Sequence, residues 1–410
     1  MTLIQSFQGS ASDGTALTAV YAEQSASGVA LAIVFPGSEL PRLVYWGRPL
    51  SAPETVIGLY DALRPQRVSG ALDYTAWPSV LPTQSESWIG AKRFEIRRDG
   101  RELFCKFAVT DIKAETVEDG NVYEMTVKNG YPQWNVASEP KRTPTITATA
   151  EDVEQGVKLI WTCEIDVSGL VRQQATVINT GDGLLEVGKV ELGFPVPADA
   201  TEILTTTGHH LRERSPQRQP LTVGRFEKVS MTGRPDFDAT LLLSLGKTGF
   251  GFTRGNVYSA HVAWSGNSVL SAERLPYTTG MLGGGEMLFG GEITLAGGEE
   301  YTTPWVCGSF GEGLNEVASR FHSFIRNAHR DWNAKHGMPP SRVRSSSTLG
   351  RPSISTTTTT PSPHWPTRPW KVVWNALWWM TVGSAPAVMT LPASATGRFR
   401  RRCGLTATSR

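Results

Sequence analysis

Residues able to hold a polar ligand gather in three short stretches of this 410-residue chain. The first is Leu43-Val-Tyr-Trp-Gly-Arg-Pro-Leu50. The second is Thr207-Gly-His-His-Leu-Arg-Glu-Arg214, continuing to Gly224-Arg-Phe226 and Gly233-Arg-Pro235. The third is Tyr258-Ser-Ala-His-Val-Ala-Trp-Ser-Gly-Asn267, followed by Ala272-Glu-Arg-Leu275, Gly285-Glu286, Gly291-Glu292 and Tyr301-Thr-Thr-Pro-Trp305. Aromatic rings beside Arg, Glu, His and Asn suit a sugar, whose apolar faces stack on rings while its hydroxyls need paired donors and acceptors. Each stretch also has a purely structural explanation. Trp46 fits the core beside a turn, Arg212, Glu213 and Arg214 fit ion pairs on a sheet face, and Trp264-Ser-Gly-Asn267 fits a strand entering a hairpin turn.

Other chemistries find little support. Cys105, Cys163, Cys307 and Cys403 are scattered without metal-ligand or redox spacing, which reads as isolated reduced thiols in a cytoplasmic protein. No pattern calls for a cofactor or a metal. The start, MTLIQSFQGSASDG, has neither a basic segment nor an apolar run, so no signal peptide is expected.

The elements that must carry these stretches are strands. Residues 1–310 alternate short β-branched and apolar runs, such as Ala30–Phe35, Val122–Val127, Thr145–Ala150, Leu159–Ile165, Ala175–Ile178 and Thr240–Leu245, with turn chemistry. The breaks include Arg98-Asp-Gly100, Asn129-Gly130, Asn179-Thr-Gly-Asp-Gly183, Gly283–Gly285 and Gly297-Gly298. So long a strand series predicts one large antiparallel β-sandwich over 1–312, a mainly β fold. From Leu314 the period changes. Leu314, Val317, Phe321, Phe324, Ile325 and Ala328 recur at helical spacing, and Gly337 with Pro339-Pro340 ends the helix. The segment 313–340 is therefore a linking helix.

Composition splits the chain at the same place. Of 40 basic and 38 acidic residues, the last 70 positions hold ten basic and no acidic ones, and five of the 13 Trp. The body is thus acidic and the tail strongly basic. No nucleic-acid partner is expected of the acidic body.

Taken together and in order, the three stretches resemble the N-terminal domain of α-galactosidases of glycoside hydrolase family 36, from about Leu31 to Arg326. The Tyr-Trp-Gly turn, the G-x-x-x-R-E-R and G-R-F segment, the A-W-S-G-N turn, the E-R-L strand and the Y-x-x-P-W strand lead into a helix with Arg320-Phe321-His322 and Arg326. The resemblance implies a supersandwich followed by a (β/α)8 barrel, and retaining hydrolysis of terminal α-galactosides such as melibiose or raffinose. Two carboxyls roughly 5–5.5 Å apart would do that chemistry. Both lie in the family's barrel, which is missing here, so no catalytic residue is assigned. The resemblance also implies homo-oligomer contacts through the β domain. It makes His210 and Arg212 the substrate-binding candidates. The family has Trp where His210 stands, and Ser-His where Asp236-Phe237 stands.

Residues 341–410 have three readings. They can be a Ser/Thr/Pro-rich disordered tail, or an anchor through the uncharged span Val372–Leu391. Neither explains the missing acids. The third reading is a frameshift near Pro339–Ser341. Suitable codons for Ser347 to Thr358, read from their third base, give N-T-W-E-A-V-Y-F-D-H-D. The same frame from Trp374 to Ser384 gives E-R-F-V-V-D-D-G-W-F. These contain the family's first two barrel-strand motifs, and the unique Trp and Met codons constrain the second. The expectation is a truncated, inactive α-galactosidase fragment without membrane attachment. The rival is a non-enzymatic carbohydrate-binding or structural β-sandwich, and a membrane-tethered domain is a third possibility.

Overall fold

The computed structural model describes residues 2–65, 77–118, 121–128, 131–136, 143–276 and 278–337. Its backbone is a twelve-stranded antiparallel sheet with three four-stranded antiparallel sheets. The large sheet runs, edge to edge, through Arg212–Pro220, Glu202–His209, Leu243–Gly246, Asn256–Val262, Val306–Glu312, Val171–Asn179, Val157–Ile165, Thr145–Asp152, Ala108–Glu118, Asn121–Lys128 and Tyr131–Val136, and Glu300–Thr302 pairs alongside Val171–Asn179.

Strict alternation makes this sheet. In Val157–Ile165 and Val171–Asn179 every odd-numbered residue is buried and every even-numbered one half-buried. Side chains alternate across a strand, so each strand offers one apolar face. Along Val157–Ile165 that face is Val157, Leu159, Trp161, Cys163 and Ile165, all essentially solvent-free. The smaller sheets cover it. Leu31, Ile33 and Phe35 of the first sheet, Ile96 and Val187 of the second, and Leu192 and Phe194 of the third join one continuous core with Trp161, Val177 and Phe310. A second core, under the far end, packs Ile203, Leu243, Leu245 and Ala260 against Leu270, Ala272 and Leu282.

The run Ala30–Phe35 lacks alternation because its strand, Val29–Pro36, is buried on both faces. One face meets the large core. The other, with Ala30, Ala32 and Val34, packs against Val56 and Tyr60. Those two belong to a short helix, Val56–Leu63, which its local pattern did not predict. The expected break at Gly283–Gly285 is also corrected. These glycines lie inside the buried strand Gly280–Glu286, where a Cβ would collide with backbone carbonyls of Leu192, Val269 and Val190. Close approach of the neighbouring strands, not a turn, requires glycine there. Asn129-Gly130 lies outside the described residues.

The predicted helix spans Leu314–Lys335. The chain divides into two compact units within it, Met1–Phe324 and Ile325–Arg410. In the first unit the helix rests on the face of the large sheet turned away from the small sheets. Ser309 Oγ donates to Val317 O at 3.3 Å, and the Phe321 ring meets the His261 ring edge-on with centroids 6.2 Å apart. Arg172 lies between the Trp305 and Phe324 rings, 4.8 and 4.9 Å from their centroids, while its Nε donates to Glu164 Oε1 at 2.9 Å. The N–H groups that a helix start leaves unpaired are taken by a loop. Gly313, Leu314 and Asn315 donate to the carbonyls of Gly255, Gly251 and Phe252 at 2.8, 3.0 and 2.9 Å. In the second unit the described part is the rest of the helix, whose end has Gly337 at φ 63°, the left-handed cap glycine provides.

The helix start is sensitive to a single methyl group. Gly313 has φ 83°, and a Cβ there would stand 2.5 Å from Phe252 O. Gly313→Ala should therefore cost about 1–3 kcal/mol, read as a lower urea midpoint. A pH dependence is built in elsewhere. Glu86, which accepts from Ser79 Oγ at 2.8 Å, has its carboxyl pushed up to about 7 by burial, partly opposed by Arg42. Its folded pKa exceeds the ordinary 4.5, so its contribution is full below about 4.5 and lost as pH rises through about 7. Glu86→Gln should flatten that slope in a pH series of melting curves.

Candidate functional site

The second and third sequence stretches converge at one corner of the large sheet. The edge hairpin Glu202–His209 and Arg212–Pro220 pairs Thr207 with Ser215 and His209 with Arg212, with a register shift between Thr207 and His209. Gly208 sits at the shift, where a Cβ would collide with the backbone of Arg212. His210 and Leu211 form the tip, and Leu211 takes φ 72°. Its strain is supported by Glu213, whose Oε1 accepts from Leu211 N at 2.8 Å. Backbone hydrogen bonds, from its own amide and from Leu211, hold the Glu213 carboxyl below the usual range, so it is ionised at neutral pH.

Both candidates, His210 and Arg212, are exposed. The His210 ring meets Phe237 edge-on at 5.8 Å, and Phe237 is itself 43% exposed. The two places where the sequence departs from the expected family pattern are thus in contact with each other. Phe237 was missed as a site candidate, because a pairing across 27 positions leaves no local signal. The segment carrying it is fastened to the hairpin. Arg214 N and Arg214 Nη1 donate to Phe237 O and Ala239 O at 3.1 and 3.2 Å, and the Thr240 hydroxyl lies 2.7 Å from that of Thr205. Arg212, Glu213 and Arg214 form no ion pair among the described residues, contrary to expectation. Arg214 turns inward to backbone carbonyls and Glu213 caps the tip instead.

Trp264-Ser-Gly-Asn267 is not a hairpin turn. It carries the chain from Asn256–Val262 in the large sheet to Ser268–Arg274 in a small one, and Val262 and Leu270 on its two sides belong to the same core. Asn267 Oδ1 accepts from Gly233 N at 2.8 Å, which anchors the segment leading to Phe237. Beneath, Thr240, His261, Trp264 and Ser268 are among the residues lining a cavity of about 20 Å³, room for a water rather than a sugar.

Trp46 is buried, stacked on Phe194 at 4.8 Å, and donates from Nε1 to Pro195 O at 2.7 Å. Arg225 and Glu273, from the G-R-F and E-R-L motifs, are cross-strand neighbours. They join Arg93 and Glu191 in a buried ionic cluster. Arg93 Nη2 lies 3.0 Å from Glu273 Oε2, and Arg225 Nη2 lies 2.6 Å from Glu191 Oε2. Each of these buried carboxylates is thus paired with an arginine. Burial pushes the Cys105 and Cys307 thiols up to about 12 and raises Cys163 as well, so none is a nucleophile at neutral pH. Among the described residues no group of three His, Cys, Asp or Glu could hold a metal ion, and no helix is long and apolar enough to cross a membrane. Val372–Leu391 lies outside the described residues.

The family model for the glycosyl hydrolase family 36 N-terminal domain matches residues 39–296. The chain belongs to glycosyl hydrolase family 36. Its sequence is 28% identical over 185 residues to the alpha-galactosidase of Escherichia coli, covering 45% of this chain and 26% of that protein. It is 27% identical over 202 residues to the bifunctional alpha-galactosidase/sucrose kinase AgaSK of Mediterraneibacter gnavus, covering 48% and 21%. This family 36 chain thus matches about a quarter of the length of these relatives. Its fold matches the galactosidase domain of AgaSK with TM-score 0.59 at 19% identity, over 78% of this chain and 44% of that one. It also matches alpha-galactosidase AgaA from Geobacillus stearothermophilus in complex with raffinose, with TM-score 0.59 at 18% identity, over 78% and 43%.

Within this family 36 sandwich the ionic cluster makes a sharp prediction. Arg225→Met leaves Glu191 and Glu273, 1% and 3% exposed, short of a counter-charge. Removing one partner of a buried pair costs about 3–5 kcal/mol, so the melting temperature should fall well below that of any single substitution at the exposed tip.

Proposed function

We propose that this chain is the N-terminal β domain of an α-galactosidase, with residues 341–410 read out of frame in place of the catalytic barrel. The family match over 39–296 carries the assignment of the β domain, and the acid-free, Trp-rich composition of 341–410 supports the out-of-frame tail. The names of both relatives support the activity. Complexes of the Geobacillus stearothermophilus enzyme with raffinose and stachyose support oligosaccharide α-galactosides as the substrate class. The intact enzyme would hydrolyse terminal α-galactosides with retention, in the cytoplasm. Its two carboxyls would come from the barrel. The acid-free tail cannot supply them, so the chain alone is inactive.

In this reading the sandwich has two tasks. It presents the helix from Leu314 as a docked base for the barrel, and it holds the hairpin tip rigid at the sugar site. His210 and Arg212 touch substrate there. Arg212 is well suited, because its guanidinium has no hydrogen-bond or ion-pair partner among the described residues and offers five donors to hydroxyls. The sandwich also contributes homo-oligomer contacts.

The test is a one-base repair of the gene near codons 339–341. The purified chain should not turn over p-nitrophenyl α-galactoside, and the repaired product should. In the repaired enzyme, His210→Ala and Arg212→Ala should each raise KM about tenfold, about 1.4 kcal/mol, with kcat nearly unchanged. Turnover by the chain as it stands would overturn the reading. So would a clean read of the locus with no barrel strand in the alternative frame, which would favour a non-enzymatic carbohydrate-binding sandwich.

A further inference from the structure

The ionic cluster that unites the G-R-F and E-R-L motifs leaves four buried polar atoms without a hydrogen-bond partner. They are Nε and Nη1 of Arg93, Nη1 of Arg225 and Oε1 of Glu191. Arg93 is fully buried and Glu191 is 1% exposed. Their neighbours hold these groups together. Arg93 binds Glu273 Oε2 at 3.0 Å, the same oxygen lies 3.9 Å from Arg225 Nη1, and Arg225 binds Glu191 Oε2 at 2.6 Å. The chain tightens the knot further, since Glu191 N donates to Arg93 O at 2.8 Å and Ala91 N to Glu273 Oε1 at 2.6 Å.

Buried polar atoms in native proteins are paired with protein or with internal water. The other carboxylate oxygens of the cluster already accept from protein, Glu191 Oε2 from Arg225, Glu273 Oε1 from Ala91 N and Glu273 Oε2 from Arg93. Lys189 Nζ stands 3.3 Å from Glu191 Oε1, but the pair lacks hydrogen-bond alignment. Gly193 lies beside the free nitrogen, where a Cβ would stand 3.6 Å from Arg93 Nη1 and 2.7 Å from Met281 Cε. Charge selects the ligand. Arg93, Arg225 and Lys189 face Glu191, Glu227 and Glu273, so the group is balanced and has no net pull on a free ion. The unpaired set mixes three donors with one acceptor.

We propose that the Arg93–Glu273–Arg225–Glu191 cluster is an internal-water site. At least one water accepts from the free arginine N–H groups and donates to Glu191 Oε1. The motif residues then form a hydrated staple. It joins the loop entering strand Phe94–Arg98 to the strands Gly224–Ser230 and Ser268–Arg274.

Crystals of the full chain test this directly. A spherical density peak within hydrogen-bond distance of at least two of the four atoms is expected. A dry cluster whose arginines pair wholly with protein would overturn the proposal. An anomalous peak at that position after a bromide soak would also overturn it, in favour of a halide site. In solution, oxygen-17 relaxation dispersion counts long-lived internal waters. The count should fall by at least one in Arg93→Met/Glu273→Met, a double change that removes one buried charge of each sign. An unchanged count in the folded double variant would sink the idea, and the wild-type crystal result decides the matter if that variant does not fold.

Discussion

Everything in this domain depends on covering one face of one sheet. Twelve strands pooled into a single layer present an apolar surface that no single small sheet could bury. Three separate four-stranded sheets share the task. Burial of apolar area at about 25 cal/mol per Å² rewards this only if every strand keeps its register, because a slip by one residue turns a whole apolar row outward. The solution repeats at a smaller scale. The first sheet covers the core with one face and must hide the other, which is why the helix Val56–Leu63 lies across it.

Charge then specifies what apolar packing leaves loose. Arg225 and Glu273 face each other across two strands, and Arg93 and Glu191 arrive from different parts of the chain to meet them. Removing such charges from water costs about as much as their attraction returns. The effect is a preference for one register and one approach of the sheets, since any other arrangement strands a charge. The corner of the large sheet uses neutral pairs toward the same end. Asn267, Arg214 and Thr240 fasten the 233–240 segment beneath the hairpin, so the exposed rings of His210 and Phe237 sit on a rigid support.

Much of this was legible beforehand. Alternation exposed the strands Thr145–Asp152 and Val157–Ile165, and helical spacing placed the helix from Leu314 to within a residue. Asp99-Gly100 read correctly as the tight turn between Phe94–Arg98 and Arg101–Glu102, with both residues at positive φ. Gly283–Gly285 misled, because glycine looks the same whether it frees a turn or makes room for a neighbouring carbonyl. Trp264-Ser-Gly-Asn267 misled for a related reason. A hairpin and an arch between layers share their turn residues, and only the partners of the flanking strands distinguish them.

Local order alone determined the element types, the strand at Ala30–Phe35, the change of period at Leu314 and the motif series that marks the family. These follow from backbone sterics and from the periods of strand and helix, which act over a few residues. Tertiary structure decided which motif residues are buried staples and which reach solvent. Arg225 and Glu273 went inward, while His210 and Arg212 went to an exposed tip. That division rests on long-range pairing, Arg93 with Glu273 and His210 with Phe237, and burial is a property of the assembled layers that no single stretch contains.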